Sequence, residues 1–216
     1  MGSVADHYRP AQLELLRFIP VSARRVLVLG GCNGAFGATV KEHTGAEVWG
    51  IEFDDGAAQR ASALVDHVLA GPVDEQVDEL PDGHFDVVVC DDTLERLVDP
   101  LATLTRLRDK LAPDGAMVAA VPNFRYLPAL SQVLLRKDFP QEDVGTFDRT
   151  YLRFFTRRSI KRLFKKAGFK VQRTEGLHAW RGTAGVVLAV VTLGYFADGL
   201  YLQYACVATP AAQRRA

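Results

Sequence analysis

VLVLGGCNGAFG, residues 26–37, is the stretch of this sequence that decides the fold. Its four apolar residues, Val26 to Leu29, predict a buried parallel strand. The glycines that follow, Gly30, Gly31 and Gly34, predict a sharp turn into a helix, because glycine adopts positive φ and lets a ligand approach the backbone closely. The stretch therefore predicts the first strand and a ligand-binding turn of an α/β sheet.

An acidic residue, Glu52, follows a second strand predicted over 47–51 and lies 22 residues beyond Gly30. A carboxylate at this point of an α/β fold accepts hydrogen bonds from the two hydroxyls of a ribose. The combination predicts a cofactor that contains adenosine. The pattern G-x-G-x-x-G is not met, because Cys32 takes the place of its second glycine. A nicotinamide or flavin cofactor is therefore the less favoured alternative.

The composition predicts one α/β domain over residues 1–216 of an ordinary soluble protein. The 26 acidic and 26 basic residues balance, which argues against a general nucleic-acid binder. The three cysteines have no metal-ligand spacing, so we expect no metal site and reduced thiols: Cys32, Cys90 and Cys206. Residues 1–10 lack a cationic segment followed by an apolar core. Both observations predict a cytoplasmic protein.

Strands and helices alternate along the chain, which predicts a parallel sheet with helices on both faces. After a leading helical segment (1–24), strands are predicted at 26–29, 47–51, 67–69, 85–90, 116–121, 169–174 and 200–209. Helices are predicted at 35–43, 55–64, from 99 to about 112, and at 157–167. Residues 122–150 are read as irregular and polar.

Residues 183–196 carry no charge and predict a buried helix, because the apolar run is too short to span a membrane. Peripheral membrane contact is the less favoured alternative.

These motifs resemble the class I S-adenosylmethionine-dependent methyltransferases. The resemblance rests on VLVLGGCNGAFG, Glu52, DGHFDVVVCDDTLERLVDP (82–100), LAPDGAMVAAVPN (111–123) and DRTYLRFFTRRSIKRLFKKAGF (148–169). The last stretch is similar to enzymes of polysaccharide and natural-product pathways. The resemblance implies a Rossmann-like sheet of seven strands, mostly parallel, with the last strand inserted antiparallel. It also implies S-adenosyl-L-methionine as the cofactor.

The sequence departs from that family at three positions. Val28 stands where the family usually has an acidic residue, and Gly30-Gly31-Cys32 replaces the usual order Gly-Cys-Gly. In the motif after the fourth strand, Arg96 replaces a histidine. The last change removes an obvious general base.

The resemblance implies a cofactor site at the ends of the first, second and fourth strands. The glycine turn would lie against the methionine part, Glu52 would bind the ribose, and Phe53 would pack on the adenine. Asp74 is a candidate for the adenine edge, with a helix-start or solvated acid as an equal alternative. The predicted cofactor-binding residues are Gly30, Gly31, Cys32, Gly34, Glu52, Phe53, Asp74, Cys90, Asp91 and Asp92.

Candidates for a general base are His178, after the sixth predicted strand, His7 in the leading segment, and Tyr151. Residues 122–153 are predicted to form the acceptor-side wall, which would be partly mobile without substrate. Its candidate substrate-binding residues are Asn123, Arg125, Tyr126, Arg149 and Arg153.

Charge is unevenly distributed in the last third of the chain. Ten basic residues and no acidic one lie between Arg149 and Arg173. Such a run is most often the solvated face of a helix, but it also suits an anionic acceptor or an anionic lipid surface.

We therefore expect an enzyme that methylates a small molecule, sugar or natural product, most readily on oxygen, in a biosynthetic pathway. A non-catalytic cofactor-binding or scaffold protein is the alternative, suggested by Cys32 and Arg96. A NAD(P)-dependent oxidoreductase is less favoured.

Overall fold

A seven-stranded sheet organises the computed structural model, which describes residues 13–30, 33–143, 145–180, 182, 185, 187 and 190–211. The strands are β1 (Arg25–Leu29), β2 (Glu47–Glu52), β3 (His67–Ala70), β4 (Phe85–Asp91), β5 (Leu111–Pro122), β6 (Phe169–Ala179) and β7 (Tyr201–Pro210). Their spatial order is β3-β2-β1-β4-β5-β7-β6. Strands β1 to β5 pair in parallel, and β7 runs antiparallel to both β5 and β6. The Rossmann-like sheet with an inserted antiparallel strand is thus confirmed.

Helices connect the strands. They are α1 (Ala35–Thr44), α2 (Asp55–Ala61), α3 (Val73–Gln76), α4 (Pro100–Lys110), α5 (Leu127–Leu135) and α6 (Arg157–Lys166), with 3-10 turns at Leu16–Phe18, Val77–Glu79 and Ala197–Leu200.

Local capping explains where three of these helices begin. The Asp54 carboxylate accepts from the Ala57 N–H at the start of α2, and Asp99 caps α4 in the same way. Thr156 caps α6 through a reciprocal pair of bonds with Ser159. Each side chain satisfies amide groups that a helix start leaves unpaired.

Successive side chains of a strand point to opposite faces of the sheet, so the hydrophobic core is divided into two clusters, one on each face. On one face, Leu27 and Val88 pack with Leu104 of α4 and Phe164 of α6. On the other face, residues such as Val26, Val89 and Val118 pack with Phe36 and Val40 of α1. Helices therefore cover both faces of the sheet, and a ligand-binding site is expected at the carboxyl ends of the strands.

The structure corrects several predicted boundaries. Helix α2 ends at Ala61 rather than 64, and β5 begins at Leu111 because it already pairs with Phe85 there. Strand β6 continues to Ala179, since its later half pairs with β7. His178 therefore lies within β6 rather than after it.

Two helices were not predicted, and one replaces a segment read as irregular and polar. Helix α5 has the sequence LPALSQVLL, with proline in its first turn. Proline is well tolerated there because the amide it lacks would be unpaired anyway. The short helix α3 begins just after Pro72.

In the connection between β6 and β7, the described residues 185, 187, 190 and 191 are helical, but most of them are exposed and not buried as the sequence predicts. Val187, Val190, Val191 and Tyr195 are exposed, and Leu193 is 96% exposed. Strands β6 and β7 pair with each other directly, so the residues that connect them extend beyond the sheet. Most of the described residues there are not covered by other parts of the described chain. Within the described part of the chain, no helix is long and apolar enough to cross a membrane.

Candidate functional site

A cavity of about 600 Å³ opens at the carboxyl ends of β1, β2 and β4. This volume lies within the range of small-molecule sites, about 300–1,000 Å³. Its described wall consists of Gly30, Asn33, Ile51, Glu52, Phe53, Asp54, Ala57, Pro72, Val73, Asp74, Glu75, Asp91, Asp92, Thr93, Arg96, Leu97 and Val98.

The glycine turn adopts a conformation that only glycine accepts without strain. Gly30 has φ +77° and Gly34 has φ +84°. A Cβ atom on Gly30 would lie 2.5 Å from the main-chain oxygen of Asp91, and one on Gly34 would lie 2.6 Å from the Cα of Ala61. The turn thus brings the end of β1 against the end of β4. Gly31 and Cys32 lie outside the described residues.

Glu52 ends β2 on the wall of this cavity. The Gly34 N–H donates to its Oε1 at 3.1 Å. Burial raises the pKa of Glu52, and the hydrogen bond from Gly34 acts in the opposite direction. A carboxylate offers about four acceptor positions, so this bond is compatible with further donors such as ribose hydroxyls.

Phe53 and Asp74 also line the cavity. Phe53 is 79% exposed, which leaves an apolar surface for a flat ligand. Asp74 accepts a hydrogen bond from the Thr103 hydroxyl, and its main-chain oxygen accepts from Arg106 at 2.8 Å. Asp74 therefore attaches α3 to α4 as well as facing the cavity, so both of its predicted roles stay open.

Cys90 does not lie beside the cavity, contrary to its predicted place. It is fully buried among the apolar side chains under α4 and α6, and burial raises its thiol pKa. Successive residues of a strand point to opposite faces, and here Cys90 belongs to the core.

Three acidic residues crowd the end of β4: Asp91, Asp92 and Glu95. The Gln203 Nε2 donates to Asp92 Oδ1 at 2.9 Å. Asp92 Oδ2 and both carboxyl oxygens of Glu95 have no hydrogen-bond partner among the described residues. Asp92 is only 7% exposed and Glu95 1%.

Burial raises the pKa of both Asp92 and Glu95 well above the usual range, and the charges of neighbouring acids add to this. Asp92 also has φ +43°, a conformation that is uncommon outside glycine. Such backbone strain clusters at functional sites. Glu95 was not among the predicted site residues, although its motif was recognised.

Arg96 joins the loop after β4 to the segment 148–151. Its Nη2 lies 3.1 Å from the buried Asp148 Oδ2, and its Nη1 donates to the Thr150 hydroxyl. Its Nε donates to the main-chain oxygen of Asp92 at 3.1 Å, and its guanidinium carbon lies 5.3 Å from the centre of the Tyr151 ring. Arg96 therefore positions the backbone of Asp92.

Three predicted acceptor-side residues are held inside the fold and do not line the cavity. Asn123 Nδ2 donates to the main-chain oxygens of Asp198, at 2.8 Å, and Tyr201, at 2.9 Å. Arg125 binds the Asp198 carboxylate through Nε at 2.7 Å and Nη2 at 3.1 Å. Tyr126 directly precedes α5 and is half-buried.

The remaining two arginines also have partners in the fold. Arg149 is exposed and pairs with Asp143 at 2.9 Å. Arg153 donates to the main-chain oxygen of Val98 at 2.7 Å. The Leu152 and Arg153 amides donate to the Glu95 main-chain oxygen at 2.8 and 3.0 Å.

Two of the three predicted bases, Tyr151 and His178, lie away from the described cavity wall. Tyr151 lines a small separate space together with Glu95 and Phe124. His178 Nδ1 lies 3.8 Å from the Glu14 carboxylate. His7 lies outside the described residues.

Replacing Arg96 with alanine should lower the free energy of unfolding by about 1–3 kcal/mol, because the buried Asp148 loses its charged partner. Arg149→Ala is the matched control, since its exposed ion pair with Asp143 contributes little. Urea unfolding of both variants measures the difference. Equal effects would show that Arg96 is not a structural clamp.

Comparisons with known proteins agree with this geometry. Residues 5–174 match the model of a family described as "Methyltransferase domain". The chain is 30% identical over 190 residues to the "Ubiquinone biosynthesis O-methyltransferase" of Psychrobacter arcticus, covering 81% of this chain and 67% of that protein.

Two solved structures share the fold. A SAM dependent methyltransferase from Archaeoglobus fulgidus superposes with a TM-score of 0.72 at 19% identity, covering 94% of this chain and 96% of that one. The 1,6-didemethyltoxoflavin-N1-methyltransferase of Burkholderia thailandensis, solved with bound 1,6-didemethyltoxoflavin and S-adenosylhomocysteine, has a TM-score of 0.61 at 18% identity, covering 94% of this chain and 77% of that one.

Proposed function

Because this chain belongs to the class I S-adenosylmethionine-dependent methyltransferases, we propose that it methylates an oxygen atom of a small molecule, with Asp92 accepting the proton. The observation that carries this proposal is the buried Asp92 carboxyl group on the cavity wall, whose Oδ2 has no hydrogen-bond partner in the described part of the chain. The similarity to an O-methyltransferase supports the choice of oxygen.

The described cavity suits the cofactor. Glu52 would hold the ribose hydroxyls, Phe53 would cover one face of the adenine, and the Gly30 backbone would adjoin the methionine part. When bound, S-adenosylmethionine supplies an activated methyl group, and the protein contributes binding and orientation.

Asp92 is suited to remove the proton of a hydroxyl acceptor. A hydroxyl oxygen that forms a new bond to carbon must lose its proton, and a carboxylate within hydrogen-bond reach can take it. Gln203 holds Asp92 Oδ1. Burial and the charge of Asp91 raise the pKa of Asp92, which makes its carboxylate a stronger base.

The charges on the cavity wall favour a neutral acceptor over an anionic one. Among the described wall residues at the end of β4, Asp91 and Asp92 are acidic, and the charge of the one basic residue, Arg96, is already paired with Asp148. An anion would meet repulsion there. The arginines expected to bind an anion, Arg149 and Arg153, lie outside this wall. We therefore propose a neutral hydroxyl compound.

A methyl-transfer assay with labelled S-adenosylmethionine tests the proposal. We expect transfer to neutral phenols and catechols, and weaker transfer to matched compounds that carry a carboxylate. Matched amines in place of hydroxyls control for the acceptor atom. Transfer to amines with none to hydroxyls would contradict the proposal.

A further inference from the structure

Helix α5 exposes apolar side chains. Its sequence, LPALSQVLL, contains no charged residue, yet Ala129 is its only buried residue. Leu134 is 69% exposed and Leu135 81%. The only polar residues of the helix are Ser131 and Gln132, and a helix that is largely apolar is normally buried in a core or in a membrane. This one must meet another apolar surface or leave its leucines in water.

The exposed surface continues beyond α5 onto neighbouring segments. Phe139, Leu152 and Phe154 are each about half exposed. The rings of Phe139 and Phe154 lie 6.0 Å apart, and Phe154 lies 5.0 Å from Phe124 at the end of β5. These aromatic side chains therefore form one patch at the carboxyl edge of the sheet.

The connection between β6 and β7 lies beside the same helix. The Arg125 guanidinium carbon lies 5.9 Å from the centre of the Tyr195 ring. A Cβ on Gly199 would lie 2.8 Å from Leu127 at the start of α5. We define the apolar rim as the exposed residues of these segments: Leu134, Leu135, Phe139, Leu152, Phe154, Val190, Val191, Leu193 and Tyr195.

Cations flank the apolar rim. Arg136 and Lys137 directly follow α5 and are exposed. Helix α6 begins two residues after Phe155, and the two arginines at its start, Arg157 and Arg158, are also exposed. None of these four cations forms an ion pair within the described part of the chain. An apolar patch beside unneutralised cations fits an anionic lipid surface.

We propose that the apolar rim docks this protein on an anionic lipid bilayer. Its leucine and phenylalanine side chains enter the boundary between headgroups and acyl chains, and the flanking cations meet the lipid phosphates. Helix α5 has nine residues and lies on the surface without crossing it. A second copy of the chain would bring like charges together, which opposes dimerisation through this rim. The inference does not depend on the proposed reaction.

Co-sedimentation of the full chain with vesicles tests the proposal. We expect binding to vesicles of phosphatidylcholine and phosphatidylglycerol in equal parts, and much weaker binding to phosphatidylcholine alone. The double variant Leu134→Ser/Leu135→Ser should bind the anionic vesicles about tenfold or more weakly, since two exposed side chains lose their apolar contribution.

Val21→Ser is the matched control, because Val21 is 64% exposed but precedes β1 at the opposite edge of the sheet. It should bind as the unaltered protein does. Binding of S-adenosylmethionine should be unchanged in all variants, which shows that they are folded.

Absence of binding to the anionic vesicles would overturn the proposal, as would equal binding by the double variant and the unaltered chain. Light scattering provides a further test. A dimer that dissociates in the Leu134→Ser/Leu135→Ser variant would identify a second copy, and not a bilayer, as the occupant of the rim.

Discussion

Replacing Glu52 with alanine is expected to weaken S-adenosylmethionine binding by about 1–3 kcal/mol, measured by calorimetry. The change removes the proposed acceptor for the ribose hydroxyls. It also removes the partner of the Gly34 N–H, which donates to Glu52 Oε1 at 3.1 Å. Both sets of donors would then lack a partner in a largely buried place, and such groups are costly to leave unpaired.

Two further variants sharpen the Glu52 experiment. Glu52→Gln keeps an oxygen acceptor for Gly34 and should lose less affinity than Glu52→Ala. Glu47→Ala is the matched control, because Glu47 lies on the same strand at the opposite edge of the sheet, where its carboxylate pairs with His67. Equal affinity in Glu52→Ala and Glu47→Ala would remove Glu52 from the cofactor site.

Replacing Asp92 with asparagine is expected to lower kcat by about 10²–10⁴-fold, the usual contribution of a general base. The side chain keeps its shape and an oxygen that can accept from Gln203, so cofactor affinity should change little. Glu75→Gln is the control, since Glu75 is another acid on the cavity wall with no proposed part in proton transfer.

The pH dependence gives an independent test of Asp92. A carboxyl group accepts a proton only in its ionised form, which prevails above its pKa. Because burial raises the pKa of Asp92, kcat/KM should fall as the pH decreases through that raised pKa. The Asp92→Asn variant should lack this fall. Unchanged turnover and an unchanged pH profile in Asp92→Asn would mean that the proton leaves by another route.

Much of the cofactor side of the site follows from local sequence patterns. The apolar run of β1, the glycine turn and Glu52 are recognisable without a structure because each depends on neighbouring residues. In a parallel sheet the carboxyl ends of strands meet at one edge, so the ends of β1, β2 and β4 converge once the strands are recognised. Cys90 shows the limit of this reasoning, since the strand end it belongs to was located but its side chain faces the core.

The acceptor side was much less predictable. Asn123 and Arg125 were expected to contact a substrate, but their side chains bind residues 198 and 201. Helix α5 was missed because the whole stretch 122–150 was read as irregular and polar, although the run LPALSQVLL within it is largely apolar and carries no charge. Sequence pattern indicates which residues are apolar but not whether another element covers them.

The sequence by itself determined the Rossmann-like fold, the glycine turn and the place of Glu52, because these depend on contacts between residues close in the chain or on the common edge of parallel strands. Only the tertiary structure decided that Gln203 bonds to Asp92 across 111 residues, and that Arg96 pairs with Asp148 across 52. Such pairs depend on where β7 and the segment after α5 pack. That packing follows from how the apolar faces of all the strands and helices are buried together, and no local sequence pattern encodes it.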